Sequence, residues 1–181
     1  ILGSALTMTM DMVKVLDTTG AGLSKATGSG REFQSVMYDS FFNVRMLGID
    51  LQAASTAVQA LFNNFSAFTE ENKKTQVELT TTVAKLETLG IAASDSARNI
   101  DLSVRALGMT SKEAMETQTR LAGMASGFIN AGKLAADFGK SLSTLAVYGK
   151  NAVNVFMDIA KSAKATGLET SRLMSIVGQF D

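Results

Sequence analysis

The sequence predicts an all-α protein: extended helices joined by glycine-stopped turns, assembled as a coiled coil or helical bundle and oligomeric. Three observations carry this. No proline occurs in the 181 residues, where average usage would give roughly nine, and proline is the residue that breaks helix interiors. Apolar side chains recur at three- and four-residue steps along most of the chain, the spacing of one helix face. A short phrase also returns at Leu47-Gly48-Ile49-Asp50, Leu89-Gly90-Ile91-Ala92, Leu107-Gly108-Met109-Thr110 and Thr166-Gly167-Leu168-Glu169. In each, glycine takes the left-handed position that ends a helix, and the next residue folds back as an apolar contact. The intervals are unequal, so Gly48, Gly90, Gly108 and Gly167 are reused helix stops and not a solenoid repeat.

Composition narrows the function. The chain lacks cysteine, histidine and tryptophan as well as proline. That removes disulfides, thiolate metal sites, the commonest general base and the commonest transition-metal ligand. Seventeen basic residues balance seventeen acidic ones, so there is no electrostatic footprint for nucleic acid and no sequence-specific nucleic-acid binding is expected. No signal peptide is visible, and the apolar-rich run 121–132 is too short to span a bilayer. A chain that starts at Ile1 and closes at Asp181 without a helix stop reads as a segment of a longer protein.

Taken in order, residues 1–17 suit either a strand (Leu6, Met8, Met10 and Met12 alternate) or a helix (Ala5, Met8, Met12 and Val15), with helix preferred. The methionines read as adaptable packing, since no histidine or cysteine accompanies them for copper. Residues 18–30, with four glycines among serines and threonines, read as a flexible linker or turn. A helix follows with Phe33, Val36, Met37, Phe41, Val44 and Leu47 as its stripe. Asp50 caps the next, striped by Leu51, Ala54, Val58, Leu61, Phe62, Phe65 and Phe68. A third starts near Thr69 with Glu70 and Glu71 at the positive end of its dipole. Seven-residue columns also run from Val58: Val58, Phe65, Asn72, Leu79, Leu86, Ala93, Ile100 and Leu107 beside Phe62, Thr69, Gln76, Val83, Gly90, Ala97 and Val104. This is a coiled-coil seam whose apolar positions are Val58, Phe62, Phe65, Leu79, Val83, Leu86, Ile100 and Val104. Polar layers at Thr69, Asn72 and Gln76 tilt it towards a trimer, with a hexamer as the alternative. Gly90 is a break in the same seam.

Ser94 is the expected cap of the helix that ends at Gly108. Thr110 and Glu113 then form a capping box, opening a helix in which Gly123, Gly127, Ala131, Ala135 and Gly139 fall every fourth residue, followed by Ser143. Such a ridge lets another backbone approach closely, while Phe128, Leu134, Phe138 and Leu142 supply bulk beside it. Ala152, Val153, Phe156, Ile159, Ala160 and Ala163 share the next face, and Leu168, Leu173, Ile176, Val177 and Phe180 line the last helix. The resulting divisions are 1–30 (helix and linker), 31–108 (coiled-coil-like) and 109–181 (rich in small residues). No catalytic constellation emerges, and no cofactor or metal is expected. Gly139-Lys140-Ser141 ends like a phosphate loop but lacks the earlier glycine, position 134 being leucine.

The phrases ARNIDLSVRALGMTSKEAMETQTRLAGMASGF and FMDIAKSAKATGLETSRLMSIVGQFD resemble tail tape measure proteins of tailed bacteriophages, over roughly 90–181. The likeness lies in the cadence of helix, glycine, aliphatic residue, capping residue and helix. It implies a structural virion protein in several copies in the lumen of the tail tube, assembled in the host cytoplasm. Its length sets the tube length, its ends contact tube and baseplate or tail-tip hub proteins, and it leaves ahead of the genome during ejection. The host membrane is a further partner implied for the 121–143 ridge. The density of glycine stops points to a hub-contacting part of such a protein. A helical translocator or pore-forming protein of a bacterial secretion system shares the alanine-rich, cysteine-free helices and stays open as the alternative.

Overall fold

A computed structural model describes residues 2–29, 31–125 and 130–177, with side chains over the same ranges except 2–12 and 177. Every regular element among them is helical: α1 (Leu2–Thr27), α2 (Glu32–Val44), α3 (Leu51–Asn64), α4 (Lys73–Thr88), α5 (Ala93–Leu107), α6 (Ser111–Ala125), α7 (Ala131–Leu145), α8 (Ala152–Thr166) and α9 (Thr170–Val177), with 3-10 turns at 45–47, 68–70 and 146–151. The chain divides into two units, residues 1–85 and 86–181, at a point inside α4. The expected divisions at 30 and 108 therefore fall within the units, at the α1–α2 and α5–α6 turns.

In the first unit α1, α2 and α3 pack on one another. Residues 18–30 are not a linker, because α1 continues to Thr27. Gly20 is there for proximity: a Cβ on it would lie 2.7 Å from the Tyr38 hydroxyl of α2. Gln34 Nε2 donates to the Gly20 carbonyl and to Ser24 Oγ, both at 3.0 Å, and the Tyr38 hydroxyl donates to the Leu16 carbonyl at 2.9 Å. Among the described glycines of this stretch, Gly28 alone is left-handed, at φ +65°, where the chain turns. Phe33 anchors the core, 5.5 Å from the rings of both Phe62 and Phe68. Asp50 caps α3 by accepting from the Ala53 amide at 2.8 Å.

The third helix begins later than the acidic pair suggested. Thr69 and Glu70 sit in a 3-10 turn, and Asn72 caps α4 by accepting from the Thr75 amide at 3.0 Å. Gln76 turns inward and donates to the Phe68 carbonyl at 2.9 Å. Two residues of the expected polar seam layers are thus consumed by one turn.

In the second unit α5 packs on α6 and α7, and α8 and α9 pack on α7. Ala92, not Ser94, occupies the N-cap of α5, and no side chain caps it. The capping box of α6 is formed: the Thr110 amide donates to Glu113 Oε2 at 2.8 Å and the Glu113 amide to Thr110 Oγ1 at 3.2 Å. Phe138 of α7 meets Phe156 of α8 edge to face at 5.1 Å. On α9 the buried residues are Thr170 and Met174, while Leu173 is half-buried and Ile176 exposed, so the expected apolar face is turned outward. Phe180 and the side chain of Val177 lie outside the described residues.

Candidate functional site

The four glycine stops all adopt the left-handed conformation, at φ +76° (Gly48), +83° (Gly90), +67° (Gly108) and +68° (Gly167). After three of them the next amide returns to the preceding helix: Ile91 to Leu86 at 3.1 Å, Met109 to Ser103 at 3.3 Å and Leu168 to Ala163 at 3.0 Å. Ile49, Ile91 and Met109 are buried, whereas Leu168 stays exposed. Glycine holds these points because an L side chain would be strained at a positive φ, not because space is short: nothing lies within 4 Å of where each Cβ would be.

The eight apolar seam residues are distributed over three helices. Val58 and Phe62 belong to α3, with Phe65 just past its end; Leu79, Val83 and Leu86 belong to α4; Ile100 and Val104 belong to α5. Phe65 is extended (φ −117°, ψ 103°), and Gly90 ends the next run, so no continuous seam forms. Six of the eight are buried, with Phe62 and Val104 half-buried.

The small-residue ridge is also divided. Gly123 is on α6, exposed, with nothing near its Cβ position; Ala131, Ala135 and Gly139 are on α7; Gly127 lies outside the described residues, as does Phe128. A single helix face from 123 to 143 is excluded, because Asn130 starts α7 afresh, accepting from the Lys133 amide at 2.9 Å. The α7 half does permit close approach, of a side chain at Gly139 and of backbone at Gly132. A Cβ on Gly139 would lie 2.3 Å from Asn99 Oδ1, and one on Gly132 2.5 Å from the Gly90 carbonyl oxygen. Asn99, fully inside, donates from Nδ2 to the Ala135 carbonyl at 2.8 Å. Ala135 joins Leu86, Ile91 and Ala122 in one apolar cluster. Sequence reasoning missed Gly132 and Asn99. The signal was there, since Gly132 and Gly139 are seven residues apart on one face, as Ser96 and Ser103 are around Asn99.

Polar groups occur both inside and at the surface. Gln118 of α6 is 1% exposed and neither its Nε2 nor its Oε1 has a hydrogen-bond partner; the hydroxyls of Ser96 and Ser103 on α5 are in the same state. At the surface, Glu113 accepts from Lys150 Nζ at 2.8 and 2.9 Å, and Arg120 donates to Asn154 Oδ1 at 3.0 Å. Glu113, Arg120 and Lys150 line a cleft of about 160 Å³ together with Met109 and Val153. The Lys150 hydrogen bond, then those from the Thr110 amide and hydroxyl, hold the Glu113 carboxyl down to about 2. Lys133 pairs with Glu169 at 2.9 Å, which raises the lysine and lowers the glutamate. Asp137, one turn along α7 and mostly buried, is pushed up by desolvation against the attraction of Lys133 and Lys140.

Apolar surface remains open in both units. In the first, Phe42, Met46 and Leu47 project, with the Arg45 guanidinium 4.8 Å from the Phe42 ring centre. In the second, Tyr148, Val155, Ile159, Leu173 and Ile176 line an open groove of about 460 Å³. Among the described residues no group of three or more acidic side chains could hold a metal, and no helix is long and apolar enough to cross a membrane. No protein-family model matches the chain, and neither does any curated protein or solved structure.

Proposed function

We propose that this chain is a structural element of a phage tail tape measure protein, and specifically a folded part that docks at the baseplate or tail-tip hub. The observation that carries the reading is the repeated unit of short helix, left-handed glycine, backfolded aliphatic residue and new cap. It turns a chain without proline into two compact units, each containing buried apolar residues. A bare ruler would keep its helices continuous. Here α1, with 26 residues, extends about 39 Å at ~1.5 Å per residue, and the helices after it are shorter.

In this role the rest of the parent chain sets the tube length from inside the lumen, and the segment ties that ruler to the hub until ejection. The exposed apolar groups around Met46 and along the α8–α9 groove are the surfaces available to hub and tube proteins and to further copies, in a trimer or a hexamer. The chemistry supports attachment and not catalysis. Immunogold labelling of tails with antibodies against 31–125 tests this. Label confined to the tail tip, exposed after mild dissociation of the hub, is the expected result. Antibody that labels no tail structure, and finds the antigen in the membrane fraction of uninfected cells, overturns it in favour of a translocator.

A further inference from the structure

We propose that α6 is a detachable helix, able to leave α5 and α7 while those two stay packed on each other and on α8. The inference goes beyond the tail assignment and does not depend on it. The inward face of α6 is poorly suited to permanent burial. Its large apolar members are Met115 and Leu121; the others are Ala114, Ala122 and Ala125, alternating with buried Ser111, Thr117 and Gln118. At the middle of that face Gln118 is 1% exposed with both amide atoms unpartnered. An amide buried without partners strongly favours water, and undocking restores its hydrogen bonds. Two further hydroxyls in the unit, Ser96 and Ser103 on α5, are also buried and unpartnered.

The attachments of α6 to the rest of the unit are soft as well. Glu113 reaches Lys150, and Arg120 reaches Asn154, from positions open to solvent. Exposed pairs of this kind contribute little and are screened by salt. The α5–α7 contact is of the opposite type. It is cinched by the buried Asn99–Ala135 hydrogen bond and by the Asn99 side chain seated against Gly139; Gly132 meets the Gly90 carbonyl in the turn before α5, and the Phe138–Phe156 pair ties α7 to α8. At the α5–α6 turn the chain passes through Gly108, whose left-handed conformation has open space around it. One helix is therefore lightly held against a tightly joined pair.

Native-state hydrogen exchange on the whole chain tests this. Amides of 111–125 are expected to exchange at least tenfold faster than those of α5 and α7, and faster still at about 1 M salt, where the Debye length is ~3 Å. Gln118→Met keeps the volume and removes the amide. It is expected to slow α6 exchange at least about tenfold, equivalent to about 1.4 kcal/mol, with a smaller change in α5 and α7. Lys150→Gln, at an exposed position, is expected to speed α6 exchange alone, and it carries the test if the methionine variant packs badly. Exchange of α6 at the rate of α5 and α7 in the unaltered chain would overturn the proposal. So would Gln118→Met folding normally with α6 exchange unchanged or faster, or Lys150→Gln speeding all three helices equally.

Discussion

Gly139→Ala probes the closest helix approach in the second unit. In an open helix interior the change stabilises by about 1 kcal/mol, through backbone entropy and propensity. Here the new Cβ would sit 2.3 Å from Asn99 Oδ1, well inside van der Waals contact. Either α5 and α7 separate or the Asn99 side chain rotates away. Rotation breaks its hydrogen bond to the Ala135 carbonyl, and a buried amide left unpaired costs about 1–3 kcal/mol. Separation instead strains the core by about 1–3 kcal/mol. With the propensity gain subtracted, a net destabilisation of about 0–2 kcal/mol is expected. Urea unfolding followed by circular dichroism reads it directly. Gly123→Ala, with open space at its Cβ, is the internal control and is expected to stabilise by about 0.5–1 kcal/mol. The Asn99→Ala, Gly139→Ala double variant removes the collision, so the two changes are expected to couple by about 1 kcal/mol or more. A Gly139→Ala chain as stable as the Gly123→Ala chain would refute the close approach.

Other consequences are equally direct. Gly90→Ala is expected to destabilise by about 1–2 kcal/mol although nothing crowds it, because only the left-handed φ opposes the side chain; thermal unfolding reads this. Thr110→Ala removes half of the capping box and is expected to cost about 1 kcal/mol in urea unfolding. Asp137 has a folded pKa above its unfolded value, so its contribution improves as pH falls through that raised value. Asp137→Asn should therefore raise the melting temperature at neutral pH and bring no gain at acid pH. Glu113 has the opposite sign. Its stabilising contribution is present above its ordinary 4.5 and is lost as pH falls towards about 2. In Glu113→Gln the acid side of the profile of melting temperature against pH is expected to flatten, and an unchanged acid limb would contradict the assigned pair.

The helices were legible because both signals that define them are local. A missing proline and a 3.6-residue apolar period need no knowledge of neighbours. The positive-φ glycines follow the same logic, since Gly-aliphatic after a periodic stretch describes a backbone state, not a partner. What depended on tertiary contact was harder to see. Gly20 looked like a linker residue until Tyr38 and Gln34 were found against it. Asn72 and Gln76 looked like register-setting seam residues, yet a turn claimed both through bonds to Thr75 and Phe68. The heptad columns were real as a sequence pattern, but a seven-residue period persists across a turn without the helix doing so. The ridge failed for the same reason: four-residue spacing continues through Asn130, where the helix starts again. The spacing around Asn99 marks a face but not its role, which is defined by a carbonyl 36 residues away.

The central functional claim is that these residues are a folded hub-docking part and not the ruler itself. The most direct measurement is tail length by electron microscopy for two in-frame deletions in the parent gene. One removes residues 1–181; the other removes an equal length from the long helical region outside them. The account predicts that the second shortens tails by about 1.5 Å per residue removed. It predicts that the first yields tails of unchanged length or no tails at all. Shortening in proportion when only 1–181 is removed would contradict it and make this segment part of the ruler.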